Sequence, residues 1–210
     1  MSKIKYIFRD FWWVVATLDY KKSAHMAFIA KAYKIERSEL RKYIEKPFEP
    51  FRRGEISEQK FREMLSKNIW VKTPAAAKKV FHVCPSGYAV LRKSIINFIN
   101  KLKKLWYISV LLSDVYPPTK AITKKLWRYD FFDKLILSCD VGLSKFDDVT
   151  NWTTKIFDYA LKKYKVKPDE ALFIDDVEKN CLVAQKAWMK TLIAEKPSQV
   201  IRDLKELLKI

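Results

Sequence analysis

An apolar run in the last quarter of the chain ends abruptly in charge: Ala171-Leu172-Phe173-Ile174 is followed by Asp175-Asp176. Four apolar residues bounded by polar ones read as a buried parallel strand, covered on both faces. Neighbouring carboxylates at the carboxyl end of such a strand repel each other. They persist most easily where a cation neutralises them, and hard oxygen ligands favour Mg2+. An exposed turn with one aspartate capping the next helix would leave the same residues, so this stretch taken alone admits both readings.

Other segments repeat the pattern. Ile4-Lys5-Tyr6-Ile7-Phe8 reads as a first strand and runs into Arg9-Asp10-Phe11. Tyr107 to Leu112 ends in Ser113-Asp114, and Lys134 to Ser138 leads towards Gly142 and Lys145. Ligands of open α/β sheets bind beyond the carboxyl ends of the strands. Asp10, Ser113, Lys145, Asp175 and Asp176 are therefore expected to converge on one crevice. Carboxylates, a hydroxyl and one ammonium suit a phosphate held beside a magnesium ion.

From residue 82 onward strand and helix patterns alternate, with helices expected at Ala89–Lys104, Pro118–Leu126, Lys155–Tyr164, Asn180–Ala187 and Ser198–Leu208, and a last strand at Thr191–Ala194. That alternation predicts an α/β fold, a Rossmann-like parallel sheet with helices on both faces. Residues 1–16 and 82–210 would form this core, and 17–81, which reads as helical throughout, a small cap inserted after the first strand. Within it Ser57 is a plausible N-cap, and Phe61, Met64 and Leu65 share one helical face. Phe48, Phe51, Phe61 and Phe81 read as cap core.

A chain of 210 residues can bury a substantial core. It has no run of about 18 apolar residues to span a membrane and no signal-peptide pattern at its start. Cys84, Cys139 and Cys181 lie far apart, which fits free thiols in a reducing cytoplasm. His25 and His82 are too separated to argue for a metal cluster. The net charge of +18 is spread along the chain as lysine. It is expected to be a solvated surface rather than a specific nucleic-acid site, since no nucleic-acid-binding motif accompanies it.

Four segments in order resemble the haloacid dehalogenase-like hydrolase superfamily, in particular its phosphatase-like members with a helical cap. Ile4 to Phe11 looks like the first motif, with Asp10 as nucleophile. Leu111-Leu112-Ser113-Asp114 looks like the second, whose hydroxyl binds the phosphoryl group. Val141-Gly142-Leu143-Ser144-Lys145 looks like the third, with its phosphate-binding lysine, and Phe173 to Asn180 like the fourth, which binds magnesium. Gly54-Glu55-Ile56-Ser57 resembles a stretch common in the caps of this group. The resemblance implies phosphoryl transfer through Asp10, with Ser113 and Lys145 on the phosphate. It implies Mg2+ held by Asp10, Asp175, Asp176 and the main-chain carbonyl of Trp12. Asp114 joins Ser113 and Lys145 beside the substrate, chiefly shaping its loop. A small phosphate monoester, a sugar phosphate or nucleotide, is the expected substrate of a cytoplasmic monomer or homodimer. A metal-free dehalogenase and a catalytically impaired binding module are the alternatives.

The chain departs from that pattern in places. Trp12-Trp13 stand where a small-residue loop is usual, and position 12 often carries an acidic residue. Phe146 follows Lys145 in place of proline, about five extra residues precede the helix at Ile156, and Arg9 replaces an apolar residue. The composition is also inverted, with 3 Gly and 7 Trp. Trp106, Trp127 and Trp188 each follow a predicted helix, at the C′ position where glycine is favoured because the backbone turns left-handed. A gene that uses UGA for glycine would give this pattern if UGA were read as tryptophan. A tryptophan-rich chain that has lost the tight loop is the other reading.

Overall fold

The computed structural model describes residues 3–18, 36, 48–68, 89–126 and 128–210. Five strands form a parallel sheet in the order β5-β4-β1-β6-β7: β1 Tyr6–Arg9, β4 Ile108–Ser113, β5 Lys134–Leu137, β6 Ala171–Asp175 and β7 Lys190–Ile193. β1 lies at the centre, with Phe8 opposite Val110 on one side and Phe173 on the other. β2, Ala16–Leu18, and β3, Ala89–Leu91, pair antiparallel in a second sheet. The helices are α1 Glu58–Asn68, α2 Lys93–Lys104, α3 Pro117–Lys125, α4 Lys145–Asn151, α5 Lys155–Tyr164, α6 Glu178–Lys186 and α7 Pro197–Leu208. A further helical turn spans Ser138–Val141. None of the described helices is long and apolar enough to cross a membrane.

Both faces of the sheet are buried, as the continuous apolar runs predict. Ile7, Leu111, Leu172 and Ile174 meet Ile95, Ile99 and Leu102 of α2 and Val200, Leu204 and Leu208 of α7. Phe8, Val110, Leu112 and Phe173 face the other way, onto Ile156, Phe157 and Ala160 of α5 and Cys181 and Ala184 of α6. Successive side chains on a strand point to opposite faces, so each central strand feeds two cores.

Two expectations are corrected. The helix expected from Ala89 begins at Lys93, because Ala89-Val90-Leu91 is β3. The insertion is not helical from its start, because Ala16-Thr17-Leu18 is β2. Leu18 sits opposite Ala89, so these two short strands bring together the ends of the segment between them. The remaining core boundaries shift by one or two residues. Trp127, His25, His82, Cys84 and Phe81 lie outside the described residues, as do residues 19–35, 37–47 and 69–81 of the stretch expected to be helical.

The described part of the insertion is docked onto the core. Phe51 stacks on Phe61 at 4.4 Å and on Tyr116 at 5.8 Å. Ser57 caps α1, accepting from the Lys60 amide at 3.1 Å. Ser138 Oγ donates to the Arg52 carbonyl at 2.9 Å. Gly54 has φ 71° and lies against the backbone of Cys139, where an added Cβ would fall 2.3 Å from the carbonyl oxygen. A Gly54→Ala chain is therefore expected to lose about 3 kcal/mol of stability from backbone strain and overpacking together, read as a lowered denaturation midpoint.

Arg9 is fully buried on β1. Its Nη1 donates to Ser109 Oγ at 2.7 Å, while Nη2 has no hydrogen-bond partner among the described residues. Burial pulls its pKa down to about 9, against a weaker opposing pull from Asp133. The folded state thus binds fewer protons than the unfolded chain between about pH 9 and the ordinary arginine range, and the full penalty is present at neutral pH. Arg9→Met is expected to raise the unfolding free energy by about 1–2 kcal/mol at pH 7. That advantage should shrink above pH 9, which denaturation at both pH values would test.

Candidate active site

Parallel register sets the positions of the site residues. Arg9 pairs with Leu111 and with Ile174, so the residues just beyond these points emerge at the same edge of the sheet. They are Asp10 after β1, Ser113 and Asp114 at the end of β4, and Asp175 and Asp176 at the end of β6. Lys145 reaches them from the first turn of α4. Its ammonium lies 2.9 Å from Asp10 Oδ1 and 2.5 Å from Asp175 Oδ2. Carboxylate oxygens of Asp10, Asp175 and Asp176 all lie within 4.8 Å of one another.

The electrostatics follow from burial. Asp10 is pushed up to about 6, first by loss of water and then by Asp175, with Lys145 and Ser113 pulling it back. Burial lowers Lys145, but Asp10, Asp175 and Asp114 more than reverse this, so its pKa ends well above the ordinary lysine value. Lys145 is a fixed cation. Asp176 is raised by burial and by Asp175. Ser113 Oγ is buried with no well-directed hydrogen bond among the described residues.

A supporting set holds these groups in place. Asp175 Oδ1 accepts from the Val177 amide and from Asn180 Nδ2, both at 2.9 Å. Asp114 accepts from the amides of Lys145 at 2.9 Å and Phe146 at 3.0 Å, so its carboxylate clamps the start of α4. Proline has no N–H to give at position 146, and phenylalanine there supplies the second half of the clamp. Ser144 caps α4 by accepting from the Asp147 amide at 3.0 Å. The stretch between Lys145 and α5 runs through α4. It carries Asp148, which is buried and accepts from the amides of Lys155 at 2.9 Å and Ile156 at 2.8 Å at the start of α5.

The sequence reading therefore finds Asp10, Ser113, Lys145, Asp175 and Asp176 gathered at one edge. Asp114 is beside them but spends its oxygens on main-chain amides. Two positioning residues had no role of their own in it: Asn180, which stood in the fourth motif only as its last residue, and Asp148, which looks like any surface acid until α4 turns it inward. Trp12 is half-buried, its ring meeting Phe11 edge-on at 5.2 Å. Its carbonyl accepts from the Val14 amide at 2.7 Å. A carbonyl oxygen has two lone pairs, so that bond leaves it able to reach a cation.

The donor set fits a hard divalent cation. Three carboxylates from two strand ends, two of them buried, face one another with a single ammonium between Asp10 and Asp175. Oxygen-only ligands of this kind suit Mg2+, which takes one or two carboxylates plus substrate phosphate oxygens. The same group of side chains can present a nucleophilic carboxylate, a hydroxyl and a permanent cation to a phosphoryl group.

No family model matches the chain. Curated relatives include D-ribitol-5-phosphate phosphatase of Bacteroides thetaiotaomicron, 27% identical over 214 residues and covering 98% of each chain. Another match is acyl-CoA dehydrogenase family member 10 of Mus musculus, 31% identical over 77 residues, which are 37% of this chain. The match spans only 7% of that longer relative. Among solved structures, a HAD-like family hydrolase from Porphyromonas gingivalis superposes with a TM-score of 0.76 at 22% identity, covering 99% of both chains. A HAD family enzyme of Bacteroides thetaiotaomicron, solved with magnesium and inorganic phosphate, superposes at 0.71 with 22% identity, over 94% of this chain and 98% of that one. With the central parallel sheet and its aspartate-lined edge, these likenesses give the chain the fold of the haloacid dehalogenase-like superfamily.

Proposed function

We propose that the protein is a magnesium-dependent phosphatase acting on a small phosphate monoester, a sugar or polyol phosphate or a nucleotide. The observation that carries this reading is Lys145 bridging Asp10 and Asp175 while Asp176 completes a three-carboxylate group. The phosphatase relative supports the substrate class, and a cap formed by residues 17–81, most of which lie outside the described residues, would set specificity.

Asp10, Asp175 and Asp176, with the Trp12 carbonyl, would hold the metal, which offsets the repulsion between an anionic nucleophile and an anionic phosphate. An Asp10 carboxylate oxygen forms a bond to phosphorus as the ester P–O bond breaks, and the alcohol leaves with that electron pair and takes a proton from water. Water then attacks phosphorus, releases inorganic phosphate and restores the carboxylate. Ser113 donates its hydroxyl proton to a phosphoryl oxygen. Lys145 supplies positive charge where negative charge accumulates. Asp114 keeps Lys145 aimed by holding its main chain.

A second reading is a catalytically impaired member that binds a phosphorylated ligand. Trp12 favours it, because an indole can neither give nor take the proton of a leaving group. One assay separates the two: phosphate release from p-nitrophenyl phosphate and a panel of sugar and polyol phosphates, with magnesium and with EDTA. The phosphatase reading expects turnover that EDTA abolishes and added magnesium restores. Absence of release across the panel, with magnesium still raising the melting temperature, would favour the binding module. Halide release from a haloacid without metal would point to the dehalogenase chemistry instead.

A further inference from the structure

Residue 13 turns the chain just past the nucleophile. Trp13 has φ 60°, and the Val14 amide donates back to the Trp12 carbonyl at 2.7 Å. A turn closed by an i→i+2 bond with a positive φ at its centre is strained for any residue that carries a Cβ. Three more tryptophans share this backbone: Trp106 at φ 66°, Trp152 at 54° and Trp188 at 62°. Each ends a helix in the same way. The amide after it reaches back to a carbonyl in the last turn, Tyr107 to Leu102 at 3.1 Å, Thr153 to Asp148 at 2.9 Å and Met189 to Ala184 at 3.2 Å. That closure places its left-handed residue where glycine is the usual choice.

Tryptophan supplies four of the six non-glycine residues with positive φ among those described, although only 7 of the 210 residues are tryptophan. Non-glycine residues adopt this conformation in only a few per cent of cases, and bulky ones less often. Burial does not offset the strain: Trp106 is 92% exposed and Trp188 82%. Trp152 does carry the Lys186 ammonium 4.6 Å above its ring, a contact available to an exposed indole anywhere. Gly54 and Gly142 adopt the same left-handed backbone, and Gly142 follows a helical turn as these tryptophans do.

We infer that positions 13, 106, 152 and 188 are glycine in the polypeptide its own cell makes, the codons being UGA read there as glycine. Trp12 does not have positive φ, so glycine at 12 follows from the codon alone. Position 13 adds a functional consequence that rests on the phosphatase reading. Without an indole there, the loop beside Asp10 can close its amides on the phosphoryl group.

The test is a codon reading followed by a mass spectrum. UGG at these four positions overturns the inference. With UGA there, peptides from the natural protein should show glycine at 106, 152 and 188, and tryptophan in those peptides overturns it equally. A recombinant chain carrying Trp13→Gly, Trp106→Gly, Trp152→Gly and Trp188→Gly should melt about 10 °C higher than the tryptophan chain, at roughly one strained turn relieved per site. A lower or equal melting temperature counts against it. Higher turnover on Trp13→Gly alone supports the loop consequence. A lack of turnover in both chains counts against the phosphatase reading, and the peptide masses still decide the glycine assignment.

Discussion

Asp10→Asn is expected to abolish phosphate release, by about 10^4-fold or more in kcat, as loss of a covalent nucleophile does. The amide keeps the shape of the carboxylate but cannot attack phosphorus, and it removes one anionic ligand from the three-aspartate group. The fold should survive. Asp10 is a buried carboxylate whose pKa is already raised to about 6 by loss of water and by Asp175, so neutralising it relieves a penalty even as it loosens the ion pair with Lys145. Unchanged or slightly raised thermal stability, together with lost turnover, would separate chemistry from folding. Residual activity within tenfold of the unaltered chain would remove Asp10 from the nucleophile role.

Lys145→Met should be the more damaging change to the molecule as a whole. The ammonium lies 2.9 Å from Asp10 and 2.5 Å from Asp175 and is buried with them. Removing one partner from a buried charge group leaves the others uncompensated, at about 3–5 kcal/mol. Asp10 would lose its strongest stabilising neighbour, so its pKa should rise further. Loss of a positioned cation at the phosphoryl group should cost about 10^2–10^3-fold in kcat. Magnesium should raise the melting temperature of this variant more than that of the unaltered chain, because a divalent cation compensates the same carboxylates. Equal magnesium shifts in both chains would show that Lys145 and the metal do not share the site.

Residues at strand ends carried most of what was legible. Asp10, Ser113 and Asp175 each close an apolar run, and a run of that kind in an alternating chain has one place to go, the interior of a parallel sheet. The helix Lys155–Tyr164 could be read to the residue, since it combines a strong apolar face with polar flanks. Ala89-Val90-Leu91 was less legible because three apolar residues fit the front of a helix as well as a short strand. Its strand state comes from pairing with Ala16–Leu18, a contact between residues far apart along the chain. Asp114 could be read as a loop-shaping residue, but its partners could not, and Asp148 was opaque altogether. Each serves main-chain amides on a helix elsewhere in the chain, and nothing local marks an acidic residue for that task.

The order of strands and helices, the two-faced burial of the sheet and the residue types at its carboxyl edge were determined by sequence pattern, because apolar periodicity and strand-end charge are properties of consecutive residues. Tertiary structure alone decided that Lys145 stands between Asp10 and Asp175, that Asp114 shapes its surroundings by gripping the start of α4, and that Trp152 joins Trp106 and Trp188 in the left-handed backbone. Those facts depend on distances between segments that the chain separates by many residues, and on backbone angles imposed by the closure of each turn.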